Sequence, residues 1–196
     1  MNSKLKKILF TIVTLLIILV GFVYIKYFTN NTKIDQKEIF VKIPTGATFE
    51  EVKKIMEPFV DNMNSFEFIA KRRSYNENVK AGRFLLKKGM SAFDQVATLR
   101  KNVPVNLAFN NQERLENLCE RLSAQIEPDT TQLLATFKDS IFLKQNGFTK
   151  ETVFSMFLPN TYQVYWNISA EKFRTKMLDE YKKFWNPERI NKAEIL

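Results

Sequence analysis

The 196-residue sequence contains no histidine. That absence removes Ser-His-Asp triads, Cys-His dyads and imidazole-ligated metals together. A single cysteine, Cys119, allows neither an internal disulfide nor a thiolate metal cluster. It falls on the apolar side of a predicted helix, which assigns it to core packing. No metal and no cofactor are expected. Five glycines and six prolines are few for this length, which argues against long disordered linkers. Net charge outside the N-terminus is also small. Of the net +9, +5 lies in residues 1–37, where six Lys stand against one Asp, and only +4 is left for the rest. Such a body lacks the basic stripe of a nucleic-acid-binding protein, and no nucleic-acid partner is expected. A weak attraction to an anionic polymer such as a cell wall is compatible with it.

What the chain does have is an uncharged apolar run of eighteen residues, Ile8 to Ile25, broken only by Thr11, Thr14 and Tyr24. That length crosses a hydrocarbon core, with Tyr24, Tyr27 and Phe28 placed as interface aromatics. The run is longer than the apolar part of a secretory signal, and no A-x-A-like site follows it. We therefore read residues 1–7 as a cytoplasmic tail, 8–28 as an uncleaved single-pass anchor and 29–37 as a polar stalk. Lys4, Lys6 and Lys7 precede the span, but Lys26, Lys33 and Lys37 follow it. The N-terminal cluster with the terminal amine selects the N-inside orientation, which puts the body outside the cytoplasm.

Beyond the stalk, Ile39, Val41 and Ile43 alternate with Glu38, Phe40 and Lys42, a period-two strand. Pro44-Thr45-Gly46 turns the chain, and Thr48 with Glu51 has capping-box spacing. Phe49, Val52, Ile55 and Met56 give that helix its buried stripe, and Pro58 ends it. A second helix is predicted over 64–74, with Phe66, Ile69 and Ala70 inward. The first pattern then recurs. Residues 79–86 read as a strand, with Gly82 at a bend or a close approach. Gly89 turns, Ser91 caps with Asp94 three residues on, and Phe93, Val96 and Leu99 face inward. Gly46/Thr48 and Gly89/Ser91 are each forty-three positions apart, so one strand–turn–capped-helix unit is used twice. A third use would pair the strand Val105, Leu107, Phe109 with Asn110 or Asn111 as cap, ahead of a helix bearing Leu115, Leu118, Cys119, Leu122 and Ile126. Pro128-Asp129 opens a helix through Leu133, Leu134 and Phe137. Residues 142–148 form a loop or short helix around Gly147, and Thr149 or Thr152 caps a short helix with Val153, Phe154 and Phe157. Ser169 opens a helix whose core face is Ala170, Phe173, Met177, Tyr181 and Phe184, and Pro187 starts a last helical piece. The fold class is α+β.

Phe157-Leu158-Pro159-Asn160-Thr161-Tyr162 stops an apolar run at a Pro-Asn turn and restarts it on a tyrosine. This hexapeptide resembles the F-P-[ND]-T-Y block of the MltG-type (YceG-like) endolytic peptidoglycan transglycosylases. V-K-I-P-T-G-A-T-F-E-E-V (41–52) and A-G-R-F-L-L-K-K-G-M-S-A-F-D-Q-V (81–96) are similar to the membrane-proximal LysM-like region of that family, with Gly82, Phe84, Leu86, Gly89, Met90 and Ser91 in place. Residues 104–126 resemble the opening of its catalytic domain. The resemblance implies a transmembrane helix, a LysM-like βα repeat region over 38–102 and the incomplete first part of a YceG-like catalytic domain over 103–196. There are departures. Phe154-Ser155-Met156 stand where the family often has E-G-[YW], and Asn160 takes the place of the Asp option. The family's catalytic Glu segment has no counterpart. The chain stops at Ala193-Glu194-Ile195-Leu196, which look like the helix leading up to it, so that Glu is expected beyond Leu196.

The activity this implies is cleavage of the MurNAc–GlcNAc β-1,4 bond without water. One carboxylic acid protonates the leaving oxygen and then accepts the proton of the sugar's own 6-hydroxyl, leaving a 1,6-anhydro end. Such work needs a Glu whose pKa is raised by an apolar site. No catalytic residue is assigned within this chain. Asn160, Tyr162, Tyr165 and Trp166 are the candidate substrate-binding residues. Asn160 donates and accepts at a turn, Tyr162 offers a hydroxyl and a ring, and Tyr165 and Trp166 offer flat faces to sugars. The alternation Tyr162, Val164, Trp166 equally fits a buried strand. Glu116 and Glu120 fall on a solvated face. The partners implied are peptidoglycan glycan strands, the inner (cytoplasmic) membrane and cell-wall synthesis proteins. The other reading is a tethered module that binds glycan without cutting it.

Overall fold

The apolar run becomes the first element of the computed structural model, which describes residues 3–194. α1 spans Ser3–Phe28. Over Lys6–Phe28 its 23 residues are apolar enough to cross a membrane, and at 1.5 Å per residue such a helix is about 34 Å long. The hydroxyls of Thr11 and Thr14 donate to the Lys7 and Phe10 carbonyls (3.0 and 2.9 Å), so the span carries its two threonines without an unmet donor.

The chain divides into two units, one ending at Val103 and one beginning at Pro104. In the first, residues 29–37 do not behave as the polar composition suggested. Asn30 and Thr32 form β-bridges with Ser91 and Val60, and Ile34 is buried. Asn31 is only 4% exposed, and every polar group it owns is bonded. Its N–H donates to the Met90 carbonyl (2.8 Å), and its carbonyl accepts from the Asp61 N–H (3.0 Å) and from Gln95 Nε2 (2.8 Å). Its Oδ1 accepts from the Asn62 N–H (2.8 Å), while Nδ2 donates to Gln95 Oε1 (3.0 Å) and to the Asn62 carbonyl (3.3 Å). A stretch read as a stalk is thus bound into the unit, because a buried amide with a full set of partners loses nothing by leaving water.

β1 (Glu38–Ile43) leads through the Gly46 turn into α2 (Phe49–Met56), whose Thr48–Glu51 capping box is present. Pro58 falls in a 3-10 turn, Glu57–Phe59, that closes the helix. α3 (Met63–Arg72) starts one residue earlier than expected, capped by Asn62, and buries Phe66, Ile69 and Ala70. β2 (Gly82–Lys87) pairs antiparallel with β1 in the register Glu38↔Lys87 to Ile43↔Gly82. At Gly82 the sequence left a bend or a close approach open; it is the latter. Its φ is +148°, and an added Cβ would lie 2.5 Å from Asn102 Cγ. Asn102 Oδ1 accepts from the Arg83 N–H beside it (3.0 Å). α4 (Ala92–Thr98) carries the second capping box, Ser91–Asp94. The repeat of strand, turn and boxed helix therefore holds in this unit, and its two strands pair with each other.

The third use does not follow the pattern. β3 (Pro104–Phe109) pairs antiparallel with β4 (Asn160–Tyr165), from Pro104↔Tyr165 to Phe109↔Asn160. Neither Asn110 nor Asn111 caps a helix. α5 (Leu115–Ser123) begins after Arg114, which makes no side-chain cap bond. The amide of Gln112 instead folds back on Asn110 Oδ1 (2.7 Å) and on the Asn111 carbonyl (3.1 Å), holding 110–112 as a loop. Gln125 lies along β3: the Ala108 N–H donates to Gln125 Oε1 and Gln125 Nε2 donates to the Ala108 carbonyl, both at 3.1 Å.

α6 (Thr130–Phe137) has an Asp129–Gln132 capping box, and α7 (Ser140–Gln145) is capped by Asp139. A 3-10 turn at Val153–Met156 follows, with Thr149 Oγ1, rather than Thr152, accepting from the Glu151 and Thr152 N–H groups (both 3.2 Å). α8 (Ala170–Phe184) buries Ala170, Phe173, Met177 and Leu178. Its predicted stripe shifts at the far end, where Tyr181 is half-buried and Phe184 is 40% exposed, because the helix outruns the core it packs on. Arg174 pins α8 down. Its Nη1 donates to the Thr136 carbonyl (2.6 Å) and pairs with Asp139 (3.2 Å), and its guanidinium lies over Phe142. α9 (Pro187–Glu194) is the last described element; Ile195 and Leu196 lie outside the described residues.

Two outcomes are expected. Asn31→Ala strands the Asn62 N–H and the Gln95 amide in the interior and lowers stability by about 2–4 kcal/mol, read from denaturant unfolding in detergent micelles. Cys119 is fully buried, and burial, then the charge of Glu116, pushes its thiol from 9.0 to about 12. Below pH 9 both folded and unfolded chains keep the proton; between 9 and 12 only the unfolded chain releases it. Stability therefore falls with pH in that window, by at most about 1.4 kcal/mol per pH unit from this group, and Cys119→Ala removes that slope. The same thiol resists labelling until the protein unfolds.

Candidate functional site

The hexapeptide sits where an apolar strand must start beside a turn. Phe157 is buried and its ring packs on Phe137 at 4.6 Å. Pro159, which has no N–H to offer, precedes the strand, and β4 begins at Asn160. From there the period-two pattern divides the candidates. Tyr162, Val164 and Trp166 face the core, while Thr161, Gln163 and Tyr165 face out. The structure brings Tyr162 and Trp166 to one side of the ribbon and puts Tyr165, 54% exposed, on the other.

Each candidate has a definite setting. Asn160 is exposed, and its Oδ1 accepts from the Thr161 N–H (2.7 Å). The Tyr162 hydroxyl donates to the Leu158 carbonyl at 2.6 Å, latching the strand back on the Pro-Asn turn. Its ring stacks on Phe109 of β3 at 5.6 Å. Burial, then the Glu180 charge, raises the Tyr162 pKa above its ordinary value, so the hydroxyl stays protonated and stays a donor. Trp166 is 9% exposed, and its carbonyl accepts from the Glu127 N–H (2.8 Å).

Beside the motif lies a cleft of about 530 Å³. Phe157, Leu158 and Pro159 form one side, the Asn110–Gln112 loop another, and the Glu151–Ser155 turn a third, with Phe109 and Leu118 also lining it. Its lining mixes apolar side chains with the amides of 110–112, a mixture common in small-molecule sites. Sequence reasoning missed the part played here by Asn110, Asn111, Phe154 and Glu151. The available signal was the polar run Asn110-Asn111-Gln112 between a strand and a helix, which reads as a loop as readily as a cap.

Glu151 is the carboxylate on this cleft. The Thr149 hydroxyl bound to it, with backbone contacts and Lys150, holds its pKa below the usual carboxylate range. It is ionised at neutral pH and is no proton donor. The same holds more widely: Glu51, Glu67, Glu116, Asp139 and Glu171 are also displaced downward, by hydrogen bonds or by neighbouring cations. Among the described residues, no group of three or more His, Cys, Asp or Glu side chains is placed to hold a metal ion.

Comparison with known proteins gives the family. Residues 41–195 match the model of the YceG-like family. The chain is also similar to a protein of Listeria monocytogenes described as yceG-like and seen in a 2.6 Å crystal structure, at 22% identity and a TM-score of 0.44, over 81% of this chain and 59% of that one. It therefore spans less than two thirds of that relative's length. No curated protein matches. That match extends over most of the chain and takes in residues of both units: the chain belongs to the YceG-like family.

Proposed function

We propose that this chain is part of a membrane-anchored endolytic transglycosylase that cuts the MurNAc–GlcNAc β-1,4 bond of nascent glycan strands and leaves 1,6-anhydro ends, so limiting strand length. Family membership supports a peptidoglycan-related role. The observation that carries the finer reading is that Phe157, Leu158 and Pro159 of the F-L-P-N-T-Y block line a cleft of about 530 Å³ together with the amides of 110–112, while Asn160, Tyr162, Tyr165 and Trp166 do not line it. Residues 103–196 then supply the first part of the catalytic domain and 38–102 a LysM-like glycan-binding region. α1 tethers both to the cytoplasmic membrane, N-terminus inside, body in the periplasm or outside, near cell-wall synthesis proteins.

In this reading the proton chemistry comes from the Glu segment that follows this stretch in the family's pattern. Glu151, held ionised, is suited to accept hydrogen bonds from sugar hydroxyls rather than to protonate a leaving oxygen. Asn160, at the turn beside the cleft, and Tyr165, on the outer face of β4, are the proposed direct glycan contacts. Tyr162 and Trp166 contribute by holding the strand that presents them. The second reading, a tethered glycan-binding module without catalysis, draws on the same downward displacement of the carboxyls.

Muropeptide analysis separates the two. Residues 3–194 alone are expected to bind purified sacculi and release no anhydro-ended product, whereas a version carrying the family's Glu-bearing segment generates such ends. Binding with no product from that longer version establishes the non-catalytic module. Tyr165→Ala is expected to weaken sacculus retention about fivefold with the unfolding midpoint unmoved. Tyr162→Phe, by losing its bond to the Leu158 carbonyl, lowers stability by about 1 kcal/mol.

A further inference from the structure

The last turn of α1 does not end in free space. The Tyr27 ring stacks on Phe68 of α3 at 4.6 Å between centroids, and Phe28 stacks on Phe93 of α4 at 5.3 Å. Tyr27 and Phe28 also close the apolar span. The headgroup zone on each side of a hydrocarbon core is only about 5–8 Å deep. A side chain in ring contact with the end of the span is therefore at headgroup depth once α1 is in a bilayer. Three residues on, the Asn31 hydrogen bonds leave no slack to lift the unit away.

The groups found at that depth suit a lipid surface. Phe68 is 49% exposed even with Tyr27 against it. Arg72 follows four residues later, on the same helical stripe, and is exposed. The Arg73 guanidinium lies 4.5 Å from the Phe93 ring centroid with its Nη1 buried, so it braces that ring from inside and leaves Arg72 as the exposed cation of the pair. Lys26 Nζ stands 5.4 Å over the Tyr27 ring. The acid beside Phe68, Glu67, is already taken by Lys71 (2.7 Å) and Lys53 (3.5 Å). Aromatic rings flanked by unspent cations are the composition of a membrane interface.

We propose that the α3–α4 end of the first unit is a lipid-binding surface, with Phe68 seated among the headgroups and Arg72 pairing with the phosphates of anionic lipid. The anchor and this face then make one continuous membrane contact. The proposal needs α1 in the bilayer, and it stands whether or not the chain acts on glycan.

The test uses the whole chain in vesicles containing about one-third phosphatidylglycerol. Single labels go at Asn64→Cys, exposed on α3 one turn before Phe68, and at Thr45→Cys, the latter in the turn at the far end of β1, about 20 Å along the strand. Native Cys119 is buried and stays unlabelled. Headgroup-attached quencher is expected to quench the label at 64 several-fold more than the label at 45. Replacing Arg72 with Ser lowers the docked-to-free ratio about fivefold, and neutral vesicles or Phe68→Ser also reduce quenching. Equal quenching at the two positions overturns the proposal. So does quenching at 64 that ignores lipid charge, Phe68→Ser and Arg72→Ser alike, because the tether alone would then place the label. A third label at Leu16→Cys, read with an acyl-chain quencher, reports insertion of α1 independently.

Discussion

The first unit depends on one buried amide. Asn31 reaches, from a single residue, the loop before α3, the turn before α4 and the side chain of Gln95 on α4. The loop before α3 is far in sequence from the adjoining α4 turn and Gln95, and Asn31 is far from both; the polar groups involved would each be costly if left dry. The network is an all-or-none arrangement: fully bonded it fixes the geometry, and with one member missing several buried groups lose their partners together. The position of α1 follows from it. A helix that ends three residues before such a clasp cannot swing freely, so the aromatic stacks at Tyr27 and Phe28 form against fixed partners.

This is also where the sequence was least readable. The segment 29–37 is polar, and polarity is the ordinary mark of a solvated linker. Nothing local distinguishes an asparagine that faces water from one whose amide meets a glutamine sixty-four residues later. What was readable was local by nature. Thr48–Glu51 and Ser91–Asp94 both form the boxes that their spacing implies, and the strand at Glu38 shows its alternation in the burial of Val41 and Ile43. A capping box is made within four residues, so no distant partner can override it cheaply.

The site divides along the same line. Alternation along β4 sends Tyr162 and Trp166 inward whatever their chemistry, and the sequence offered that placement beside the sugar-binding one. The cleft next to the motif was invisible, because it is assembled from the 110–112 loop and the 151–155 turn, which only the β3–β4 pairing brings near each other. The expected cap at Asn110 or Asn111 failed for a related reason. The Gln112 amide competes for the same loop, and the helix begins farther on, at Leu115.

Gln125 carries a last implication. A ribbon of only two strands has open sides, and an open side can recruit an identical ribbon from another molecule. By offering Ala108 an acceptor and a donor at once, the Gln125 side chain imitates the backbone of a neighbouring strand and takes the place an intruder would need. A second copy approaching this side of β3 would find Ala108 already satisfied.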